Sequence, residues 1–360
     1  MTDSLDQQPT EAEPDSAVTP DPDTEAVVAE LVSQQVLDAR NGADLATLTD
    51  LESKIARAVQ SSRAPATLAA YRTDWADFTI WCETHGLESL PATPATIAAY
   101  IADLAEPSDD RQPLAAATIE RRKAALGEAH TLAGHSNPCL DPLVKQVSKG
   151  IRRRIGIAPK HRKTGLSTAD LTAIAATLDT DRPIDTRDKA LLLLGFATAM
   201  RRSELVALEV GDIENHPDGI IVHKRRSKTD QESAGRRIEV GYGHTTTCPI
   251  RALRTWLDSA DIADGPVFRS VDRHNNISQK ALSDRAVANV IKRHVTQLGH
   301  NAADFSGHSL RRGFSTTASR NGASERTISR TTGHTTTKGL RPYIEDAELF
   351  TDPPTNYLGL

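Results

Sequence analysis

Apolar positions recur with helical spacing along most of the chain. Leu68, Tyr71, Trp75, Phe78 and Trp81 fall on one face of a segment opening at Ala64-Pro65-Ala66-Thr67, so a helix buried along that face is predicted to begin near Ser62. Further helices are predicted over residues 93–104, 114–132 and 143–154. Residues 26–60 carry Val28, Leu31, Val32, Leu45, Leu48 and Leu51 at spacings that fit shorter amphipathic helices. Ser167-Thr168-Ala169-Asp170 is helix-start chemistry, a side-chain acceptor followed three positions later by an acid, and an apolar helix is predicted over 188–196. The period then changes. GIIVH at 219–223 and RIEV at 237–240 are β-branched runs flanking a polar stretch, which predicts a β-hairpin. Helices over 249–258, 283–298, 310–320 and 324–331 complete a fold that is mainly α with a small antiparallel β-sheet in the C-terminal domain.

Composition sharpens the layout. Residues 1–25 are rich in Pro, Asp, Glu and Thr and poor in large apolar groups, so they cannot bury enough surface to offset ordering entropy and read as a disordered acidic tail. Between Lys149 and Lys163 the run KGIRRRIGIAPKHRK breaks the helical pattern at Pro159 and concentrates positive charge. The expected order is a tail (1–25), a short helical extension (26–60), a helical domain (61–155), a basic linker (156–166), a second domain (167–347) and a C-terminal tail (348–360). The net charge of -5 conceals an asymmetry. Of 48 acids, ten lie in residues 1–39, which hold no Lys or Arg, leaving 38 against 43 basic residues. The body is mildly basic, which is compatible with a nucleic-acid partner. The apolar run at 190–200 is too short to span a bilayer and the N-terminus has no signal-peptide pattern, so no membrane partner and a cytoplasmic location are expected. Cys82, Cys139 and Cys248 are odd in number and not closely paired; they read as buried, reduced thiols rather than disulfides or zinc ligands.

Five short signals in the second half carry candidate chemistry, and each has a plain structural use by itself. Arg201 in MRRSEL follows an apolar helix, where a cation caps the C-terminus. Lys228 in SKTD sits between the two predicted strands, a common place for a solvated lysine. His308 and Arg311 are three apart and share a face if a helix begins there. Gly333 before His334 suits a helix C-cap. Tyr343, in RPYI, comes nine positions after His334.

Taken in order, the set Arg, Lys, His-x-x-Arg, Gly-His and Tyr resembles the tyrosine recombinase, or phage integrase, family. MRRSEL, GHSLRRGFST and TTGHTTTKGLRPYI look like its three strongest motifs, and the resemblance covers residues 62–345 or so. It implies a two-domain DNA clamp: a helical core-binding (SAM-like) domain and a catalytic domain. It further implies Arg201 and Arg311 as a phosphate clamp, His308 and His334 as partners at the same phosphate, Lys228 as general acid and Tyr343 as nucleophile. The family's first arginine stands three before a glutamate, so Glu204 selects Arg201 over Arg202. His-x-x-Arg likewise selects Arg311 over Arg312. Two departures stand out. Ala199-Met200 replaces the usual Gly-Leu, and Lys224 lies on the same predicted hairpin as Lys228, a second candidate for the lysine.

These residue types suit attack on a phosphodiester. Two planar guanidinium groups match the charge gathered on the non-bridging oxygens. A tyrosine of ordinary pKa, about 10, must lose its proton during attack, with His308 as acceptor or relay, and the departing 5′ oxygen needs one from a general acid. A 3′-phosphotyrosine and a free 5′ hydroxyl would result, and reversal on a new strand needs no ATP. The sequence holds no GxxxxGK[ST] loop, HExxH helix or zinc-spaced Cys/His cluster, so neither cofactor nor metal is expected. The implied partners are double-stranded DNA with paired inverted-repeat sites, three further copies in a homo-tetramer on synapsed DNA, and candidate accessory proteins. Arg121, Arg122 and Lys123, with Arg152, Arg153 and Arg154 of the linker region, are expected DNA contacts, and IEDAELF after Tyr343 is an expected docking tail for a neighbouring copy. Competing readings are type IB topoisomerase-like relaxation, a non-catalytic DNA-binding regulator, and a metal-dependent nuclease.

Overall fold

The computed structural model describes residues 65–360 apart from 109, 158–161, 225–234, 244–245, 335–336, 349–352 and 359–360. The acidic tail and the helices expected over 26–60 lie outside the described residues. The chain divides into two compact units, Met1–Pro159 and Lys160–Leu360.

Four helices build the described part of the first unit: α1 (Pro65–Thr84), α2 (Pro94–Ala105), α3 (Ala116–Leu132) and α4 (Pro142–Ile155). Their starts are chemically marked. Thr93 and Asp141 accept the backbone N–H groups of Thr96 and Leu143, and a proline occupies the first turn after each. Helix α1 packs on α3 and α2 on α4, closing a core of Phe78, Trp81, Ile97, Tyr100, Ile101 and Leu126. The tryptophan-bearing face of α1 is the core face, as its spacing predicts. Polar tips find partners at the edge of this core: Trp81 donates to Asp103 at 3.0 Å and Tyr100 to Asp77 at 2.6 Å.

In the second unit α5 (Thr168–Thr177) begins with the capping box spelled in the sequence, Asp170 N–H to Ser167 Oγ and Ser167 N–H back to the Asp170 carboxylate. Helix α6 (Pro183–Thr198) is its spine. Ala190 to Leu194 are all buried, so this stretch of the helix has no polar face and reads as a plain apolar run. Around it lie α7 (Arg202–Val206), a three-stranded antiparallel sheet of β1 (Ile213–His216), β2 (Gly219–Lys224) and β3 (Arg236–Gly241) in that order, and α8 (Pro249–Ser259). A two-stranded hairpin, β4 (Arg269–Val271) with β5 (Ile277–Ala281), then leads to α9 (Asp284–Gln297), α10 (Ser309–Arg320), α11 (Glu325–Thr332) and α12 (Thr337–Glu348). The expected class, helical with a small antiparallel sheet, is the observed one.

One ionic cluster ties α6 to α9. Asp188, fully buried, accepts from Arg187 on its own helix at 2.7 and 3.0 Å and from His294 at 2.8 Å, and pairs with Arg293. Burial raises its pKa, and His294, Arg187 and Arg293 more than offset that, holding the carboxyl below its usual range. The last segment of the described chain packs within its own unit: Leu340 and Ile344 of α12 are buried against Ile328, Phe314 and Ala318. Thus Ile344, the first apolar residue of the expected docking tail, belongs to the core of its own unit. Cys82, Cys139 and Cys248 are buried free thiols. Among the described residues no helix is long and apolar enough to cross a membrane.

Candidate active site

The site is assembled from helix ends. Where α6 stops, Ala199 takes a left-handed conformation (φ 49°, ψ 27°), which a side chain with a Cβ adopts rarely. This is the position where the family pattern has glycine, so the alanine carries backbone strain there. The turn aims the Ala199 carbonyl at Arg311, whose Nη1 donates to it at 2.9 Å. Arg201 then caps α7, with its N–H donating to Glu204 Oε2 at 2.9 Å and its Nη1 to Oε1 at 2.7 Å. Arg202 points elsewhere, 3.1 Å from Asp284. Lys224, the last residue of β2, is buried and brings Nζ to 2.7 Å from the same Glu204 Oε1. Burial raises the Glu204 pKa, but Lys224 and Arg201 bring it below the usual range. Burial pushes Lys224 down to about 8 although Glu204 opposes the shift.

Arg311, on α10, is 1% exposed. Burial and then the charge of Arg201 lower its pKa to about 10, with Glu204 and, when ionised, Tyr343 pulling the other way. Its Nη2 lies 3.4 Å from His334 Nε2, and its Nε has no partner among the described residues. A guanidinium only donates, so His334 Nε2 is the acceptor and Nδ1 carries the proton. That proton goes to Thr332 Oγ1 at 2.8 Å, and the threonine hydroxyl donates to the Ile328 carbonyl at 2.8 Å. Burial, Arg311 and Arg201 lower the His334 pKa to about 4, so the ring is neutral at pH 7.

Gly333, between α11 and His334, has φ 72°, the left-handed C-cap that glycine allows. A Cβ there would collide with the guanidinium of Arg236, the first residue of β3, which donates to the Thr331 carbonyl at 2.9 Å. His308, exposed at the start of α10, has its pKa lowered by the protein mass around it and by Arg311, Arg201, Arg202 and Arg312. Tyr343, half-buried on α12, sets its ring 6.1 Å from that of His334 and 5.8 Å below the Arg312 guanidinium carbon. Arg201, Glu204, His308, Arg311, His334 and Tyr343 are therefore linked by contacts or by charge into one basic cluster. Lys228 lies outside the described residues.

Residues 165–349 match the model of the phage integrase family. The chain belongs to that family, the tyrosine recombinases. An integrase/recombinase xerD homolog of Selenomonas ruminantium is 40% identical over 310 residues, spanning 85% of this chain and 89% of the other. The recombinase cre of Escherichia phage P1 is 25% identical over 286 residues, spanning 74% and 80%. Among solved structures, the XerH site-specific recombinase in a post-cleavage complex with palindromic difH superposes with a TM-score of 0.57 at 13% identity, covering 94% of this chain and 99% of that one. A lambda integrase dimer on a COC′ core site gives 0.50 at 16%, covering 90% and 97%. These two are likenesses of fold.

The first unit of the recombinase places its expected DNA contacts unevenly. Arg122 pairs with Asp77, approaches Asp74 at 3.6 Å and donates to Tyr100 at 2.8 Å, with only 16% of its side chain exposed. Lys123 is held by Glu120 at 2.6 Å and Ser148 at 2.9 Å. Arg121 pairs with buried Asp74 while remaining 43% exposed. Arg121 and Arg122 are engaged because helix α1 sets Asp74 and Asp77 against that face of α3, and Lys123 because Glu120 of its own helix and Ser148 of α4 flank it. Arg152 and Arg153, in the last turn of α4, are exposed, and Arg154 pairs with Glu106. Arg236 and Thr332 were not legible as site residues: Arg236 acts on a backbone carbonyl that no motif encodes, and Thr332 reads as an ordinary helix-end threonine until its hydroxyl is seen on His334.

Proposed function

We propose that this recombinase cleaves and rejoins double-stranded DNA through a covalent bond between Tyr343 and a 3′ phosphate, without metal or ATP. Arg311 carries the reading. It is an almost wholly buried guanidinium with no carboxylate bonded to it among the described residues and its Nε unpartnered, beside Arg201 and within electrostatic reach of Tyr343. A buried cation left so is costly unless an anion completes it, and two neighbouring guanidinium groups fit the charge of a phosphate under attack.

In the proposed cycle Arg201 and Arg311 hold the non-bridging oxygens. Tyr343 Oη attacks phosphorus and the bond to the 5′ oxygen breaks. The phenolic proton passes to His308, whose lowered pKa keeps it a neutral acceptor at pH 7, and Lys228 gives a proton to the 5′ oxygen. A 5′ hydroxyl from another strand then attacks the same phosphorus and releases Tyr343, so the phosphodiester energy is conserved. His334, neutral and anchored through Thr332, steadies Arg311. The substrate is DNA with paired inverted-repeat sites, on which four copies assemble; the difH and core-site complexes of the solved relatives support a DNA partner.

A nicked duplex built from the DNA flanking the gene tests this. The parent protein is expected to form a protein–DNA adduct with chelator present and ATP absent, and Tyr343→Phe none. An adduct that survives Tyr343→Phe, or an absolute metal requirement, would refute the mechanism. A two-site exchange assay run beside supercoil relaxation separates recombination from topoisomerase-like activity.

A further inference from the structure

The β2–β3 hairpin ends on a rung of two cations. Lys224 and Arg236 are register partners, so their side chains leave the same face of the ribbon. Like charges directly opposite each other weaken an antiparallel pair, and a lysine is seldom buried without a partner that requires it. Each cation here has an acceptor, and the two acceptors belong to different halves of the site. Lys224 shares Glu204 Oε1 with Arg201, both at 2.7 Å, with the lysine side chain 4% and the glutamate side chain 6% exposed. Arg236 bonds the Thr331 carbonyl at 2.9 Å and occupies the space over Gly333, the residue before His334.

We propose that the Lys224–Arg236 rung is a positioning pair that locks the hairpin to both halves of the catalytic centre. Lys224 fixes Glu204 and through it the Arg201 guanidinium; Arg236 fixes the turn that presents His334. The inference rests on the function proposed above, in which Lys228, four residues beyond Lys224, protonates the 5′ oxygen. Neither rung residue is assigned a contact with the reacting atoms. The rung lies two residues past the Val222–Ile238 pair, the last apolar one, and it is held by acceptors of the site rather than by burial of apolar surface.

The test is single-turnover adduct formation on the nicked duplex with either oxygen or sulfur at the bridging 5′ position. A sulfur leaving group departs as a thiolate and needs no proton, so it repairs a missing general acid but not a misplaced clamp. Lys228→Ala is expected to be slow on the oxygen substrate and restored on the sulfur one. Lys224→Met and Arg236→Gln are expected to be slower by on the order of 10- to 100-fold at unchanged DNA affinity, with at most partial recovery on sulfur. Arg236→Lys, still a donor to the Thr331 carbonyl, is expected to recover most of the rate. If Lys224→Met does not fold, the Glu204→Gln/Lys224→Met pair replaces it and is expected to be no slower than Glu204→Gln alone. Parental rates in both rung variants, full sulfur rescue of Lys224→Met, or additive losses in the double variant would overturn the proposal. A parent that forms no adduct on either substrate would sink the recombinase mechanism instead.

Discussion

At the scale of single residues, the site is governed by charge crowding. Five arginines, Arg201, Arg202, Arg236, Arg311 and Arg312, act on His308 or His334, and they favour the neutral imidazole. A histidine that accepts a proton works above its pKa, so a lowered pKa extends its use toward acid. The acid limb of kcat/KM for adduct formation, which reports the free enzyme, is expected below about pH 6.5, the value of a free histidine. A limb at or above that pH would remove His308 as the acceptor. The sequence shows these residues only as a spaced set, and its register choices rest on Glu204 and on the His-x-x-Arg spacing. Arg201 and Arg202 do separate in space, one bound to Glu204 and the other to Asp284. What a sequence cannot display is an acceptor on the backbone, which is why the Ala199 and Thr331 carbonyls, and the Arg236 that uses one of them, were not legible.

At the scale of elements, period and capping carry most of the information. Ser167 and Asp170 name the start of α5 because both halves of the box are local, and α1 declares its buried face through its aromatic spacing. Strands β1, β4 and β5 were missed for a physical reason. None of them shows alternating burial, and β1 and β5 are largely exposed, so they are held by pairing to a neighbour rather than by a pattern of their own. The α6–α9 cluster around Asp188 was equally silent, since its members lie more than 100 positions apart. Asp188→Asn would leave Arg187 buried beside a neutral group. It is expected to lower stability by about 3–5 kcal/mol, measured by urea unfolding. The pH sign is also fixed. A carboxyl whose folded pKa is depressed contributes above its unfolded value, about 3.9, and loses that contribution as pH falls through the folded one. The Asn variant and the parent should therefore converge in stability only below about pH 4.

At the scale of the whole molecule, the basic residues of the first unit divide into those already engaged and those facing solvent. Among the expected contacts Arg152 and Arg153 are exposed in the last turn of α4, and replacing both with alanine is expected to reduce the magnitude of the log Kd against log salt slope by about 2, read by fluorescence anisotropy over a salt series. Arg122→Ala is the matching control. Its partners Asp74, Asp77 and Tyr100 lie within the unit, so it should cost stability and leave the slope unchanged. An unaltered slope in the Arg152/Arg153 variant would remove these residues from the DNA surface. The described groups proposed to act in catalysis, from Arg201 to Tyr343, all fall in Lys160–Leu360. On the proposed mechanism the strand-cutting groups thus occupy one continuous length of chain, and changes confined to Met1–Pro159 would leave every one of those side chains as it is.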